Sequence, residues 1–531
     1  MNSASATRLF ELVASAPDDR PMLIAQGRRL SYGDMRRQVA SLASGLGHIG
    51  IGRGDRVAVW LPNDPAWFTV VLACSRIGAA IVSLNVRLGA KEAGELISRT
   101  VCKAVVLMPQ HRDGACVAAL RSVPAALRDS LRCVVTHGET TEPILCGVEQ
   151  TSLVQLAAFE LKEVPESEPS DPCLLIATSG TTSQPKLVLH CQDSVCRHAA
   201  DVAGAAGIGD AASSMLLALP VCGAFGYTVA MATLQAQRPI VLMESFEPAQ
   251  AAALIIEHRV THMLGTNDML DKLLAATTAD RPFPSLRMFG HANFDPSLTE
   301  LPAKAESKGI LIRGFYGMSE LLAGFAAEPA DAPLQQRAEA GGVPSCPTAS
   351  FRIADPESGA VMADGEIGEL QVRTPNRMRE YFMNPRATAE ALTADGYFRT
   401  GDLAYRAPSG AFIFTSRMND VLRIGGYLVS PVEIEEVVAS DAAVQTCQVV
   451  AVTRPQGVRP VAFVIAEPGQ VVDEAAVLAM CRARLAIFKV PIRVFTIAAL
   501  PMIDGPNGPK VRRVALRERA QMLLNAETSS A

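Results

Sequence analysis

A loop rich in hydroxyl groups lies between two apolar runs, in the segment IATSGTTSQPKLVLH at residues 176–190. Five Ser and Thr side chains, one glycine and Lys186 follow the apolar stretch CLLIA. Ligands of α/β proteins bind at strand ends, where backbone N–H groups, hydroxyls and a lysine cation can together satisfy phosphate oxygens. The pattern GxxxxGK[ST] of a Walker loop is absent. On local chemistry alone, a solvated turn explains the segment at least as well as a phosphate cradle.

Helix and strand patterns alternate around this loop. The segment 30–50 has apolar residues at helical spacing and ends in glycine, RVAVWLP at 56–62 indicates a buried strand, and 67–84 a helix and then a strand. This alternation predicts an α/β fold with helices packed on largely parallel sheets. Short strands with Gly and Pro turns predict a β-rich subdomain from about Gly359 to Tyr405, and a compact α+β unit follows Arg417.

Length and composition limit the function classes. A chain of 531 residues exceeds one hydrophobic core, so two or more domains are expected. A net charge of −5 provides no basic field, so no nucleic-acid partner is expected. No apolar run reaches the roughly 18 residues that predict a membrane span, and no secretory signal is recognised at the start, so we expect a cytoplasmic protein. The 12 cysteines form no CxxC pair, and we expect them to be reduced.

The hydroxyl-rich segment resembles the TSGTTGxPKG signature of the adenylate-forming superfamily, which comprises acyl-CoA synthetases, adenylation domains of peptide synthetases and luciferases. Further matches follow the order of that family: GRGDRVAVWLPND at 52–64, RIGAAIVSLN at 76–85, FYGMSE at 315–320, YFRTGDLAY at 397–405, SRMNDVLRIGGYLVSPVEIE at 416–435 and NGPKVRRVALR at 507–517. On these matches the chain is identified as a member of the family. The resemblance implies an N-terminal domain at 1–418, with two helix-flanked sheets and a β-rich subdomain, and a small mobile α+β C-terminal domain at 419–531.

The resemblance also implies a reaction: ligation of a carboxylic acid to coenzyme A, with ATP and Mg²⁺ as the other requirements. A carboxylate is a poor acyl donor, and attack on the α-phosphate of ATP converts it to an acyl-AMP whose leaving group is AMP. The enzyme must bring two anions together at a crowded phosphorus centre, so positioning and cations are expected to dominate catalysis.

Individual roles follow from the matched motifs. Glu320 would bind Mg²⁺, and Ser319 keeps the hydroxyl that contacts phosphate. Asp402 would accept hydrogen bonds from both ribose hydroxyls, and Arg417 would support the ribose or phosphate side. Lys510 would reach the carboxylate and the α-phosphate during adenylation. The other implied ATP- or AMP-binding residues are Thr178, Ser179, Gly180, Thr181, Thr182, Lys186, His291, Ala292, Phe315, Tyr316 and Gly317.

Each of these charged residues also has a structural interpretation when it is taken singly. Asp402 after a glycine is typical of a turn. Glu320 is typical of the first turn of a helix, where a carboxylate favours the N-terminal dipole. Lys510 in a basic run is typical of a solvated surface. The ordered series of motifs favours the functional interpretation of all three.

Several positions depart from the family pattern. Ser183 and Leu187 replace glycines of the phosphate loop, Ser416 replaces the glycine before Arg417, and Pro509 stands where a glycine precedes the terminal lysine. None of these changes removes a charged catalytic group. They leave open a protein that binds acyl-adenylate or acyl-CoA with an impaired adenylation half-reaction.

The second half-reaction of the family involves rotation of the C-terminal domain, here about a hinge at Asn419. Gly425 and Gly426 would then line a thiol tunnel, because glycine permits close approach of the backbone. The acceptor is either free coenzyme A or the pantetheine of a separate carrier protein. A stand-alone ligase that uses coenzyme A is favoured.

The segment LPVCGAFGY at 219–227 resembles the acid-binding motif of the family. Gly223 stands at the gate position, and Gly226 replaces the aspartate that binds an α-ammonium group in peptide synthetases. The implied pocket residues are Cys222, Gly223, Phe225, Tyr227 and Met318. This apolar, uncharged set favours a fatty, alicyclic or aryl acid, although ordinary core packing explains Phe225 and Tyr227 equally well.

Overall fold

The computed structural model describes residues 6–140, 142–160, 165–178, 185–292, 298–418, 422–424, 427–429, 431–454, 457–505 and 508–530. The predicted α/β class with two large sheets is confirmed. The chain forms two compact units. The first comprises Met1–Phe351 and Val372–Phe398, and the second comprises Arg352–Gln371 and Arg399–Ala531. No helix in the described ranges is long and apolar enough to cross a membrane.

The elements run as follows. The strands are β1 (Pro21–Ala25), β2 (Arg28–Ser31), β3 (Arg56–Trp60), β4 (Ala80–Ser83), β5 (Ala104–Leu107), β6 (Cys133–Thr136), β7 (Glu149–Ser152), β8 (Pro172–Ala177), β9 (Leu187–Cys191), β10 (Met215–Leu217), β11 (Ile240–Leu242), β12 (His262–Thr266), β13 (Met288–Ala292), β14 (Ile312–Met318), β15 (Leu322–Ala327), β16 (Gly341–Pro344), β17 (Ser350–Ala354), β18 (Gly368–Arg373), β19 (Glu380–Tyr381), β20 (Phe398–Arg406), β21 (Phe412–Arg417), β22 (Leu422–Ile424), β23 (Tyr427–Val429), β24 (Val444–Arg454), β25 (Gly457–Ala466), β26 (Val494–Thr496), β27 (Met502–Gly505) and β28 (Gly508–Val511). The α-helices are α1 (Tyr32–His48), α2 (Pro65–Arg76), α3 (Ala90–Thr100), α4 (Ala115–Ser122), α5 (Leu153–Ala157), α6 (Gln192–Ala206), α7 (Ala224–Gln235), α8 (Pro248–Glu257), α9 (Asn267–Ala275), α10 (Leu301–Ser307), α11 (Leu334–Arg337), α12 (Pro385–Glu390), α13 (Pro431–Ala439), α14 (Glu474–Arg484) and α15 (Arg513–Ser530).

Local sequence explains where the first helices begin. The hydroxyl of Ser31 accepts a hydrogen bond from the Asp34 N–H (3.1 Å), and the Asp34 carboxylate accepts one from the Ser31 N–H (2.9 Å). This reciprocal capping box satisfies N–H groups that the helix α1 itself cannot pair. Asp64 caps α2 by accepting from the Ala66 N–H (2.8 Å), and Pro65 occupies the first helical position.

Two large sheets organise the first unit. One has the strand order β19-β9-β8-β4-β3-β5-β6-β7, in which β3 to β8 run parallel and β9 returns antiparallel to β8. The other has, within this unit, the order β16-β15-β14-β13-β12-β10-β11-β1-β2, with β1 and β10 to β14 parallel. The carboxyl ends of the parallel strands define one edge of each sheet, which we call the carboxyl edge.

Apolar helices fill the space between these sheets. The helices α2 and α7 are buried nearly all round and share one core with side chains from both sheets. A helix without a polar face must be surrounded by protein. Residues of α3 and α4 form a second core on the other face of the β3–β5 region. The carboxyl edges are therefore held on a rigid, fully packed body.

The second unit has hydrophobic clusters of its own. Strands β17, β18, β20 and β21 follow one another in one sheet. Further along the chain, β24-β25-β26 form a three-stranded sheet, with α13 and α14 packed on one face and α15 on the other. Separate hydrophobic clusters on the two faces make this part an α+β layer structure.

Candidate active site

The carboxyl edges of the two sheets of the first unit are tied together by hydrogen bonds. The amide of Asn63, just after β3, donates to the carbonyls of Leu219 and Met243 (2.9 Å each) and accepts from the Val221 N–H (2.9 Å). The Ser83 hydroxyl at the end of β4 donates to the Cys222 carbonyl (2.9 Å). Loops from both sheets thus converge where α/β proteins bind ligands.

The two ends of the hydroxyl-rich loop, Thr178 and Lys186, are hydrogen-bonded to each other at the carboxyl edge. The Thr178 N–H donates to the Lys186 carbonyl (2.8 Å), and the Lys186 N–H donates to the Thr178 hydroxyl (3.2 Å). These bonds close the ends of the loop between β8 and β9. The predicted phosphate-binding residues Ser179, Gly180, Thr181 and Thr182 lie outside the described residues.

Lys186 and Glu320 meet around one aromatic ring. The Lys186 ammonium lies 4.5 Å from the centroid of the Tyr381 ring, and the Tyr381 hydroxyl donates to Glu320 Oε1 (2.7 Å). Tyr381 is in β19, which pairs with β9, whereas Glu320 follows β14 in the other sheet. Burial and the Glu320 carboxylate raise the Tyr381 pKa well above its usual value, so the phenol stays protonated and donates.

Glu320 is a buried carboxylate without a cationic partner among the described residues. Glu320 is only 6 % exposed, and no described Lys, Arg or His forms a salt bridge with its carboxylate. The Met378 N–H donates to its backbone carbonyl (2.7 Å) and so fixes its position. A buried, unpaired carboxylate is costly, and this one suits a hard cation with oxygen ligands. It would supply one ligand, since the described residues contain no cluster of three or more metal-binding side chains.

A buried histidine holds the backbone next to this carboxylate. His190 of β9 lies with Nε2 2.8 Å from the Ser319 carbonyl oxygen. Burial lowers the His190 pKa to about 4, so the ring is neutral at pH 7 and must carry its proton on Nε2 to donate to a carbonyl. The Ser319 side chain itself is half-buried. Its predicted contact with phosphate stays a prediction.

Phe315, Tyr316 and Gly317, which were predicted to bind ATP or AMP, lie in β14 of the tightly packed hairpin β14–β15. A Cβ on Gly290 would lie 2.7 Å from the Phe315 ring, so Phe315 covers the face of the sheet to which residue 290 belongs. Tyr316 packs edge-on against Phe325, with ring centroids 6.5 Å apart. Gly317 is exposed, yet a Cβ there would clash with the β15 backbone. Glycine at this position therefore allows the hairpin to close.

His291 lies on the opposite face from Phe315, because adjacent strand residues point to opposite faces. Its ring lines a cavity of about 30 Å³ together with Asn267 and Leu270, under α9. Burial lowers its pKa to about 4. Ala292 is half-buried at the strand end. The structure thus does not bring His291 to the face that carries Phe315, and its predicted role in nucleotide binding stays a prediction.

The predicted acid-pocket residues occupy the start of α7. Gly223 is the N-cap of this helix, and Cys222 before it is buried, which raises its pKa to about 12. Phe225 and Tyr227 belong to the core between the sheets, and the Tyr227 ring is 5.8 Å from that of Trp67, edge to face. Met318 is half-buried at the end of β14. The core location agrees with the packing interpretation of Tyr227, while a pocket role for the set stays a prediction.

In the second unit, Asp402 and Arg417 are cross-strand partners on β20 and β21. Arg417 Nε lies 3.7 Å from Asp402 Oδ1, and the Asp402 side chain is buried while that of Arg417 is 51 % exposed. The Thr400 hydroxyl accepts from the Asp402 N–H (3.1 Å) and donates to the Leu370 carbonyl (2.6 Å). Within β20, Gly401 at φ +68° directly precedes this fixed carboxylate, which lies beside an accessible guanidinium.

Other predicted residues of the second unit are only partly described. The backbone of Lys510 lies in β28, where it pairs with Ile503 of β27. The predicted hinge at Asn419 and the predicted thiol tunnel at Gly425 and Gly426 lie outside the described residues. The proposed domain boundary between residues 418 and 419 also stays a prediction.

Sequence reasoning missed Tyr381 and His190 as parts of this site. The Tyr381–Glu320 hydrogen bond spans 61 residues of sequence and the His190–Ser319 contact spans 129. Tyr381 lies outside every motif that was singled out for chemistry, and His190 ends the segment 176–190 but was assigned no role there. The one available signal was a histidine at the end of an otherwise apolar strand, LVLHC, since a buried polar side chain requires a partner.

Comparison with known proteins gives a consistent assignment. Residues 9–382 match the family described as AMP-binding enzyme, and residues 433–504 match the AMP-binding enzyme C-terminal domain. A feruloyl-CoA synthase of Amycolatopsis sp is 30 % identical over 90 % of this chain and 91 % of its own length. A 3-[(3aS,4S,7aS)-7a-methyl-1,5-dioxo-octahydro-1H-inden-4-yl]propanoyl:CoA ligase of Mycobacterium tuberculosis is 31 % identical over 96 % of this chain and 97 % of its own. The crystal structure of ATP-bound MatB from Rhodopseudomonas palustris superposes with a TM-score of 0.82, at 25 % identity, over 97 % of this chain and 98 % of that one.

Proposed function

We propose that this protein, which belongs to the adenylate-forming family of AMP-binding enzymes and is an acid–thiol ligase, activates an apolar carboxylic acid as its acyl-AMP and transfers the acyl group to coenzyme A. The observation that carries the proposal is the arrangement of Lys186, Tyr381 and Glu320. It places a cation over the Tyr381 ring and a buried carboxylate at the hydroxyl of the same ring, next to the end of the hydroxyl-rich loop.

In the first half-reaction, a carboxylate oxygen of the acid attacks the α-phosphorus of ATP. A new O–P bond forms, the bond to the β-phosphate oxygen breaks, and pyrophosphate leaves. Both reactants are anions, so the chain must supply positive charge and fixed positions. Lys186 would neutralise phosphate oxygens, and Lys510 would act on the carboxylate and the α-phosphate, as its motif implies.

Glu320 fits a Mg²⁺ site. A single carboxylate, together with waters and substrate phosphate oxygens, is a common Mg²⁺ environment. Bound Mg²⁺ would neutralise negative charge on the phosphates as pyrophosphate leaves. Tyr381 and His190 would act by positioning: the phenol fixes one oxygen of Glu320, and the imidazole fixes the carbonyl of the preceding residue.

The nucleoside would be held by the second unit. Asp402 is a rigid, buried acceptor suited to two ribose hydroxyls, because a carboxylate accepts more than one hydrogen bond. Arg417 keeps its guanidinium 3.7 Å from that carboxylate and half exposed, so it remains able to reach a phosphate or ribose oxygen.

In the second half-reaction, the coenzyme A thiol attacks the acyl carbonyl carbon. The C–S bond forms, the thiol proton passes to solvent, the mixed-anhydride C–O bond breaks, and AMP leaves with the electron pair. The two curated relatives described above are named as a feruloyl-CoA synthase and a propanoyl:CoA ligase, which supports coenzyme A as the acceptor.

The proposed acid is apolar. A Cβ at Gly226 would clash with the Pro220 carbonyl oxygen, so no side chain, and hence no carboxylate for an α-ammonium group, fits at that position. Cys222 and Phe225 beside it are buried and uncharged. The names of the two curated relatives, for a feruloyl and a fused-ring propanoyl acid, fall in the same chemical range of aryl and alicyclic acids.

The test is ATP–pyrophosphate exchange by the purified full chain, with a panel of fatty, alicyclic, aryl and α-amino acids. Exchange should follow one apolar class and be absent with amino acids. Lys510→Ala should lower it by on the order of 10² to 10³. Lys91→Ala, at an exposed lysine at the start of α3, is the matched control and should retain full exchange.

Two negative results of this experiment would lead to different conclusions. Exchange that survives Lys510→Ala would remove that lysine from adenylation. Absence of exchange with every acid, in protein that binds ATP and is folded, would refute the adenylation step and support the binding protein with an impaired half-reaction.

A further inference from the structure

A cleft of about 560 Å³ lies in the first unit at the amino ends of five neighbouring parallel strands. These strands are β13, β12, β10, β11 and β1 in spatial order, and the register pairs the first residue of β10 with those of β11 and β12. The residues immediately before the five strands line the cleft: Arg20, Ser214, Pro239, Thr261 and Arg287. The cleft is therefore built by the sheet itself, at the edge opposite to the carboxyl edge.

The lining is cationic. Four arginines and a histidine contribute, namely Arg20, Arg238, Arg259, Arg287 and His258, and no Asp or Glu is among the lining residues. Arg287 is paired with Asp210 outside the cleft at 2.6 Å. Arg20 donates to the neutral Gln237 (3.1 Å) and Arg238 to the Gly209 carbonyl (2.8 Å). These neutral acceptors orient the guanidinium groups of Arg20 and Arg238 but do not neutralise their positive charges.

Buried polar groups at the cleft lack partners. The hydroxyls of Ser213 and Ser214, in residues 2 % and 9 % exposed, have no hydrogen-bond partner, and neither has Nε of Arg238. An unsatisfied buried polar group is expensive to retain, so each such group in a native fold requires an explanation. Three donors grouped at one cationic cleft indicate a ligand that accepts hydrogen bonds.

Two lining residues occupy backbone conformations that favour glycine. Gln237 has φ +54° and Arg259 has φ +49°, each just after the end of a helix. Glycine would fit these positions without strain, as at Gly207 after α6 (φ +69°). Long polar side chains stand there instead, and both line the cleft.

We propose that this cleft binds a small polyphosphate-type anion, with two or more linked phosphate groups. Guanidinium groups bind phosphate oxygens in pairs, and serine hydroxyls donate to the oxygens that remain. Several cations distributed along a concave wall suit a chain of phosphates better than a single carboxylate. The volume lies within the usual range of small-molecule sites.

This site is separate from the proposed ligase centre. The strand β12 has five residues, and strands rise about 3.3 Å per residue, so the two edges are roughly 13 Å or more apart. Binding in the cleft therefore neither requires nor blocks the Glu320 and Lys186 region. The proposal stands or falls independently of the ligase reaction.

The test is calorimetric titration of the full chain with inorganic tripolyphosphate at low salt. Arg20→Gln and Arg259→Gln should each weaken binding by about tenfold or more, because each removes a charge-assisted contact. Arg519→Gln, at an exposed arginine on α15, is the matched control and should bind as the unmodified protein does. Orthophosphate should bind at least about tenfold more weakly than tripolyphosphate.

Tripolyphosphate also resembles the phosphates of ATP, so the titration is repeated with Lys186→Met. Binding that persists in this variant and is lost in the two cleft variants supports the proposal. Ser213→Ala gives a second readout: affinity should fall while the free energy of unfolding is unchanged or higher, because the hydroxyl has no partner within the protein.

Three results would overturn the proposal. The first is unchanged affinity in both Arg20→Gln and Arg259→Gln. The second is complete loss of binding in Lys186→Met, which would place the anion at the carboxyl edge. The third is equal weakening in Arg519→Gln, which would reduce the effect to general surface charge.

Discussion

Tyr381 connects two residues that the sequence assigned to different motifs. Its hydroxyl donates to Glu320 and its ring lies under Lys186. Tyr381→Phe should keep the ring and remove only the hydrogen bond. We expect a loss of about 1–3 kcal/mol in the free energy of unfolding, because a buried carboxylate loses its donor. We also expect a higher Mg²⁺ concentration for half-maximal pyrophosphate exchange, measured by Mg²⁺ titration at saturating ATP.

Tyr397→Phe is the control for that prediction. The Tyr397 hydroxyl lies 3.2 Å from the Ser350 hydroxyl at an exposed position, so its removal should change the free energy of unfolding by less than about 1 kcal/mol and leave the Mg²⁺ dependence unaltered. If Tyr381→Phe shifts stability but not the Mg²⁺ dependence, the tyrosine is structural and does not position Glu320.

Glu328 is a second residue whose chemistry depends on burial. Burial raises its pKa to about 7, although Gln336 donates to Oε2 (2.9 Å) and the Arg313 cation lies nearby. A carboxyl with a raised folded pKa binds its proton more tightly in the folded state, so its contribution to stability declines as pH rises from about 4.5 to 7. Glu328→Gln should therefore raise the free energy of unfolding by about 1–3 kcal/mol at pH 8 and little at pH 5, by urea denaturation.

Local sequence patterns were sufficient to predict a helix or a strand where the apolar periodicity belongs to that one element. The helix and strand predicted in 67–84 are α2 and β4, and the compact α+β unit predicted after Arg417 contains α13, β24, β25 and α14. The hairpin of β27 and β28 and the helix α15 were not predicted. Their segments carry a basic run and a weak apolar pattern, and α15 is stabilised by packing on β24, a contact between segments far apart in sequence.

The same limit applies to the candidate site. Ordered motifs identified Glu320, Asp402 and Lys186 because each lies in a short segment with a fixed pattern. The neighbours that hold Glu320 come from β9 and β19, and only the pairing of β19 with β9 brings Tyr381 to it. Strand pairing at this sequence distance leaves no local periodicity, so the sequence could not predict it.

The first turn of α7 packs closely against the 219–223 loop at Gly226. Gly226 lies where any Cβ would clash with the Pro220 carbonyl oxygen, so Gly226→Ala must displace the helix or the 219–223 loop. We expect a loss of about 1–3 kcal/mol in the free energy of unfolding and a changed acid preference in pyrophosphate exchange.

Gly204 on α6 is the matched control, because a Cβ there meets no atom within 4 Å. Gly204→Ala should raise the free energy of unfolding by up to about 1 kcal/mol through lower chain entropy in the unfolded state. Equal effects of the two substitutions would show that the Pro220 contact does not constrain α7.

Because the histidines are unevenly distributed along the chain, the stabilities of the two units should depend differently on pH. All eight histidines lie between residues 48 and 291, in the first unit. Burial lowers the pKa of His190, His262 and His291 to about 4 each. A base with a lowered folded pKa stabilises the fold above pH 6.5, and this contribution is lost as pH falls toward 4, because only the unfolded chain takes up the proton.

The size of the effect follows from these values. Between pH 8 and pH 5 each of the three histidines removes about 2 kcal/mol, and Glu328, whose shift has the opposite sign, restores about that much once. These four groups together should therefore lower the free energy of unfolding of the first unit by roughly 4 kcal/mol over this range. Both tryptophans, Trp60 and Trp67, are buried in the first unit, so their fluorescence reports its unfolding alone.

Urea titrations monitored by tryptophan fluorescence at pH 8, 6.5 and 5 should show a falling midpoint. Hydrogen exchange of β24 and β25 peptides, corrected for intrinsic rates, should change less, because the second unit contains no histidine. His198→Gln retains a donor for the Ala323 carbonyl and should flatten the pH dependence, since burial lowers the His198 pKa as well. The exposed His48→Gln should leave the dependence as it is. A midpoint that stays constant from pH 8 to 5 would mean that the buried histidines are not held neutral, and the neutral Nε2–H tautomer assigned to His190 beside Glu320 would be wrong.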